Sequence, residues 1–140
     1  MNVFLDSGAF LALSDSDDFH HPAAVLLYEK ILSTHAHLFT SNYVLAETYT
    51  LIRARVSHTA AVNFMKAFEK TKIKVLRVDI EAEEKAKRIF IKYADKVFSF
   101  IDCSSFALID KYRLNHALAF DRHFSQYRFA HLVRILPGNQ

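Results

Sequence analysis

Val3-Phe4-Leu5, entered through Asn2, is an apolar run too short for a helix and of the length of a buried strand. Asp6-Ser7-Gly8 follows, and then Ala9-Phe10-Leu11-Ala12-Leu13, which has helical character. The pattern predicts a strand-to-helix turn capped by Asp6 or Ser7. The same alternation repeats down the chain. His20-His21-Pro22 starts a helix with proline in its first turn, and Val25, Leu27, Tyr28, Ile31 and Leu32 form its buried stripe. Leu38-Phe39-Thr40 predicts a second strand, with Ser41 or Asn42 capping a helix over 43–52 that buries Val44, Leu45, Leu51 and Ile52.

An amphipathic helix over 57–68 turns Ala61, Val62, Met65 and Phe68 inward, and 72–78 alternates as a strand does. The helix expected over 80–97 sets Ala82, Ala86, Ile89, Phe90, Tyr93 and Val97 on one side. Its other side carries the pairs Glu81–Lys85, Glu83–Lys87 and Glu84–Arg88, each with the acid four residues ahead of the base. Ser99-x-x-Asp102 matches a capping box, and the helix it opens points Phe106 and Ile109 inward together with Asp102. Residues 117–120 and 132–135 supply two more strands, and Pro137-Gly138 closes the fold.

Strands alternating with helices imply a parallel sheet with helices on both faces. The 140 residues include only two Gly and two Pro, which leaves no linker and predicts one domain over 1–140. No stretch approaches the ~20 apolar residues of a membrane span, and the N-terminus makes a poor signal peptide. The lone Cys103 excludes an intramolecular disulfide and a multi-cysteine zinc site, and fits a reducing cytoplasm. A net charge of +3 permits a nucleic-acid partner without requiring one. Ser14-Asp15-Ser16-Asp17-Asp18 lacks the glycine and closing glutamate of a calcium loop and reads as a solvated turn. His35 and His37 have no third ligand nearby and read as surface residues.

The acidic residues change this picture. Asp6 and Asp121 stand directly after apolar strands, while Glu47 and Asp102 stand in the first turns of helices. In a parallel sheet those positions share one edge, where such folds place their sites. Each acid has a plainer explanation: Asp6, Asp102 and Asp121 as caps or turn residues, and Glu47 as an outward residue paired with Arg53 or Arg55. Four ionised carboxylates gathered there need raised pKa values or a cation. An all-oxygen donor set favours Mg²⁺ or Mn²⁺ over Zn²⁺, and phosphodiester hydrolysis is the matching chemistry. The chain contains no P-loop, no G-x-G-x-x-G turn and no G-x-S-x-G elbow.

Leu5-Asp6-Ser7-Gly8-Ala9, the run from Asn42 to Glu47, the run from Ser99 to Ala107, and Ala119-Phe120-Asp121-Arg122-His123-Phe124 together resemble the acidic motifs of PIN-domain proteins. The likeness is closest to the compact VapC-type toxins of prokaryotic toxin–antitoxin pairs. It implies a three-layer α/β/α sandwich with a mostly parallel five-stranded sheet. It also implies Mg²⁺- or Mn²⁺-dependent endoribonuclease activity, frequently on transfer or other structured RNA. Carried over by motif, Asp6, Glu47, Asp102 and Asp121 are the expected catalytic and metal-binding acids, and Ser7 a supporting hydroxyl. The expected partners are the RNA, a cognate antitoxin and a second copy in a homodimer, with no membrane. The sequence departs from the family at Gly8, where a polar side chain is common, and in Cys103 beside an acid. Arg122, Lys87, Arg88 and Lys92 are candidate phosphate contacts.

Two other readings compete. A catalytically idle module of the same fold would use the acidic pocket for RNA or a basic peptide. A phosphoacceptor receiver domain shares the acidic sheet edge, but it wants paired acids after the first strand and a lysine after a late one. This chain offers Asp6 alone and then Asp121-Arg122.

Overall fold

In the computed structural model, which describes residues 1–138, Val3, Phe4 and Leu5 are wholly buried, as a strand covered on both faces requires. They form β1 (Asn2–Leu5). β2 (His37–Ser41), β3 (Lys74–Leu76), β4 (His116–Leu118) and β5 (Arg134–Leu136) complete a five-stranded sheet ordered β3-β2-β1-β4-β5. Every pairing is parallel, and β1 is central, with Val3 aligned to Leu38 on one side and to His116 on the other. The chain steps outward from β1 through β2 to β3, then returns across β1 to β4. The junction of β1 and β4 is therefore the point where strand order reverses.

The connections are α1 (Ser7–Ser14) and α2 (His21–Ser33), α3 (Asn42–Arg55) and α4 (His58–Glu69), α5 (Ile80–Lys92) and α6 (Phe100–Tyr112), and the short α7 (His123–Gln126). Right-handed crossovers put α1 to α4 over one face and α5 to α7 over the other, which is the expected α/β/α sandwich. Within the faces α1 meets α2 and α3, α3 meets α4, and α6 meets α5 and α7; α3 also meets α6 from the other layer. No helix among the described residues is long and apolar enough to cross a membrane.

Several sequence expectations shift for identifiable reasons. In α2, Ala24 and Ile31 are buried while Leu32 stays 48% exposed, because a helix at the rim buries a narrower stripe than its composition offers. In α4, Met65 is exposed; the aromatic rings of Phe64 and Phe68 take the inward side, each edge-on to Phe10 at 5.5 and 5.9 Å. α5 ends at Lys92 rather than at 97, and Phe90 and Val97 are exposed. Small Ala82 and Ala86 with Ile89 make its buried stripe, which suits close packing on α6.

None of the three predicted i,i+4 pairs of α5 forms. Lys85 reaches Asp110 at 3.2 Å, Lys87 takes Glu84 at 3.1 Å, Glu83 accepts from the Tyr43 hydroxyl at 2.8 Å, and Glu81 faces Lys111 at 3.6 Å. An exposed helix pair is worth only a few tenths of a kcal/mol, so tertiary partners outcompete it at Lys85, Glu83 and Glu81, while Lys87 takes an i,i+3 partner on the same helix.

The buried carboxylate of Asp110 organises the irregular stretch after α7. It accepts from Lys85 Nζ at 3.2 Å, from the Tyr127 hydroxyl at 2.7 Å and from Ala130 N–H at 2.8 Å. Burial, reinforced by the bond to Asp110, pushes the Tyr127 phenol far above its usual pKa. Asp110→Ala strands those donors and is expected to cost about 2–3 kcal/mol in urea unfolding. An unchanged unfolding midpoint would show that the 127–130 segment is held by its rings alone.

Candidate active site

The strand-end acid arrives by backbone geometry. Asp6 N–H donates to Leu118 O of β4 at 3.1 Å, and the buried Thr40 hydroxyl donates to Leu5 O at 2.9 Å, so the end of β1 is tied to both neighbours. Asp6 is the N-cap residue of α1, yet its side chain makes no cap bond; its backbone carbonyl accepts from Ala9 and Phe10 N–H. The carboxylate is thus free of the capping duty and lies 3% exposed. A Cβ on Gly8 would meet only Asp6 Oδ2, at 4.0 Å, so the glycine leaves open space beside the acid rather than serving a backbone need.

α3 is capped by Ser41, whose Oγ accepts from Val44 N–H at 3.0 Å. Asn42, the alternative cap, instead accepts from Val78 N–H at 2.8 Å and joins the helix start to the end of the β3 connection. Because α3 already begins at Asn42, Glu47 stands in its second turn rather than the expected first; it is half-buried and accepts a hydrogen bond from the Ser7 hydroxyl. The plainer expectation, pairing with Arg53 or Arg55, is not realised: neither arginine makes an ion pair among the described residues.

Asp102 fulfils both readings given to it. It completes the capping box with Ser99, each bonding the other's backbone N–H at 3.0 Å, and its carboxylate is also buried at the site. Its Oδ2 additionally meets His123 Nδ1 at 2.8 Å. A carboxylate accepts, so Nδ1 carries the proton in this contact. Asp121 is exposed, and its Oδ1 accepts from His123 N–H at 2.8 Å in an Asx turn that sets the start of α7. Asp102, Asp121 and His123 each offer a ligand atom, all within 4.8 Å of one another.

His123 is the residue that sequence reasoning left without a role. The signal was its position two after Asp121, close enough for the turn to aim both side chains together. Its link to Asp102, 21 residues away in the chain, was not readable from spacing.

Asp6 and Glu47 fall outside that three-residue cluster, although the charges of Asp121, Asp102 and Glu47 all act on Asp6. Burial pushes the Asp6 carboxyl well above its ordinary value of 3.8, and the charges of Asp121, Asp102 and, more weakly, Glu47 push it further; the Ser7 backbone N–H opposes them. Burial likewise raises Asp102, with Asp121 adding to it, while bonds from Ser99 N–H and His123 pull the other way. No Lys or Arg among the described residues pairs with any of the four acids; His123 is their one basic partner. Cys103, fully buried behind Asp102, is pushed up to about 11 chiefly by burial and stays a thiol. A concavity of about 640 Å³ lies elsewhere, beside the starts of β2 and β3, and contains none of these residues.

A central parallel strand ending in an acid, with further acids on the flanking elements at the order-reversal point, is the arrangement that the resemblance to PIN domains implies. The PIN domain model matches residues 3–130, and the chain belongs to that family. It is 34% identical over 127 residues to the 23S rRNA-specific endonuclease VapC20 of Mycobacterium tuberculosis, covering 91% of this chain and 95% of that one. The crystal structure of that sarcin-ricin loop cleaving toxin superposes with a TM-score of 0.80 at 31% identity, over 91% of this chain and 96% of the other. VapBC2 from Rickettsia felis, bound to a promoter DNA fragment, shares the fold at a TM-score of 0.71 and 9% identity, covering 96% and 97% of the two chains.

Asp102, Asp121 and His123 could hold a metal ion, and the histidine nitrogen departs from the all-oxygen donor set expected from the sequence. A buried carboxylate surrounded by like charge and lacking a lysine or arginine is a site that a cation would stabilise. Because the folded state raises the Asp6 pKa, the unfolded chain ionises first, and stability falls as pH rises from the unfolded value through the folded one. Asp6→Asn is therefore expected to melt higher than wild type at pH 7 in EDTA, with the gap closing as pH falls through the raised folded value toward about 4 and absent below it. Thermal melts across that range check it; an Asn variant that melts lower at pH 7 would mean that Asp6 is already compensated by the protein.

Proposed function

We propose that the chain is a Mg²⁺- or Mn²⁺-dependent endoribonuclease, the toxin of a type II toxin–antitoxin pair. The observation that carries this is the cluster of Asp102, Asp121 and His123 within 4.8 Å, together with the buried Asp6 on which the charges of the other acids act, and no lysine or arginine among the described residues paired with any of them. Similarity to a 23S rRNA-specific endonuclease over nearly the whole chain supports RNA as substrate and favours a structured ribosomal loop over transfer RNA. The antitoxin follows from the toxin likeness, and a homodimer and a cytoplasmic location belong to the same reading, which the lone buried Cys103 suits.

Asp6, Asp102 and Asp121 would hold the cation, with Glu47 completing the set or orienting water. When bound, the ion acidifies a water molecule and neutralises charge building on phosphate oxygens. The protein's own groups do the rest. The Ser7 hydroxyl fixes one oxygen of Glu47 and so sets the direction of the other. Ser99 N–H and His123 Nδ1 both occupy Oδ2 of Asp102, which holds the carboxylate in one orientation. Exposed Asp121 stands at the solvent side, where a polyanion would approach. His123 acts as a positioning residue, because its bond is to a carboxylate rather than to substrate.

Cleavage of ribosomal RNA fragments in Mn²⁺ is expected to stop in EDTA and to fall by about 100-fold or more in Asp6→Asn and Asp102→Asn. His123→Ala should lose about 10–100-fold and need more Mn²⁺ for half-maximal rate, with His123→Asn recovering part of both. Activity that survives EDTA and both aspartate substitutions would refute the site. No cleavage and no Mn²⁺ uptake would point to the idle RNA- or protein-binding module instead.

A further inference from the structure

The rearranged pairs on α5 leave cations over. Glu84, expected to face Arg88, is taken by Lys87. Arg88, Lys92 and Arg128 are all exposed, and none makes an ion pair among the described residues. They converge on a groove of about 210 Å³ between α5 and the Tyr127–Arg128 segment, whose lining also includes Lys85, Tyr93 and Tyr127. Lys85 is committed to Asp110, and no carboxylate lines the groove. Its walls are fixed: Arg128 N–H donates to the Tyr93 hydroxyl at 3.4 Å, the Tyr127 hydroxyl donates to Asp110, and the Tyr127 ring stacks on Phe106 at 4.6 Å. The Lys92 ammonium lies 5.9 Å from the centre of the Tyr93 ring.

The groove is close to the acids. Tyr93 meets Phe98 at 5.3 Å between ring centres, Phe98 meets His123 at 5.7 Å, and His123 holds Asp102. One phenylalanine ring thus separates the basic groove from the site. Such a pairing answers a difficulty in the chemistry. A pocket of carboxylates repels the polyanion it is to cut, so a strand needs attraction near the cut rather than at it.

We propose that this groove is a phosphate-binding subsite for the RNA strand, with Arg88, Lys92 and Arg128 contacting consecutive backbone phosphates a few nucleotides from the scissile bond. The proposal rests on the nuclease reading above. Arg88 and Lys92 are one helical turn apart, about 6 Å along the axis, which is the order of one nucleotide step. The volume is below that of pockets enclosing drug-sized ligands, which suits backbone phosphate rather than an enclosed base. Recognition here is therefore sequence-independent and salt-sensitive.

The test uses the full chain carrying Asp6→Asn, to prevent cleavage, and a fluorescein-labelled single-stranded RNA of about twelve nucleotides. Anisotropy titrations between about 50 and 300 mM KCl give the salt slope. R88Q/K92Q/R128Q is expected to weaken binding about tenfold or more at low salt and to lower the log–log slope by about 2, the value for three single-strand phosphate contacts. K30Q/K66Q/K70Q removes the same charge elsewhere and should keep the slope. Melting curves of each variant confirm that it is folded.

An unchanged slope in the first triple, or an equal drop in the second, overturns the subsite. So does loss of affinity for an aspartate-rich peptide with RNA binding intact, which would make the groove a protein contact. Wild-type cleavage in Mn²⁺ is measured in parallel. RNA cut by wild type with an unchanged slope sinks the subsite and keeps the nuclease reading. RNA held through the groove but never cut supports the subsite and sinks the nuclease reading.

Discussion

The burial of the Asp6 carboxyl at the end of the central strand, with the charges of Asp121 and Asp102 acting on it, is the constraint on which the rest of this molecule turns. Asp6 cannot move away from it. Its backbone is bonded to β4, its strand is the middle of the sheet, and its side chain is sealed from solvent. The fold therefore places a carboxyl where charge is expensive and sets other acids near it, and its pKa is raised as a result. Proteins tolerate such an arrangement when something positive completes it.

The surrounding details make sense as consequences. Caps are arranged so that the acids are spared: Ser41 caps α3, the Asp6 side chain takes no cap bond, and Asp102 uses one oxygen for both its capping bond and His123. Glu47 is steadied by a neutral hydroxyl rather than by a cation, so its charge is not cancelled. The irregular stretch after β4, which carries Asp121 and His123, would be the weakest part of the frame. It is anchored farther on by Asp110 and by the ring cluster of Phe106, Tyr127 and Phe129.

Much of this was readable before any coordinates. The five strands, the helix starts at Ser41 and Ser99, and the sheet edge shared by the acids follow from burial period and capping chemistry, which are local properties. What periodicity could not supply is the identity of partners. It marked α5 as a solvated face but paired its charges along the helix, whereas Asp110 and Tyr43 reach in from other elements. It assigned Met65 and Leu32 inward because their spacing allows it, although aromatic neighbours and the rim of the sheet decide otherwise. The His123–Asp102 contact was hidden for the same reason: it is a meeting of two segments, made by the turn after β4.

The proposed role of these acids is to hold a divalent cation at the junction of β1 and β4. Anomalous diffraction from a crystal soaked in Mn²⁺ tests it most directly. The account predicts a manganese peak bounded by oxygens of Asp6, Asp102 and Asp121, lost in Asp6→Asn crystals. A peak elsewhere, or the acids left bare in saturating Mn²⁺, would contradict it.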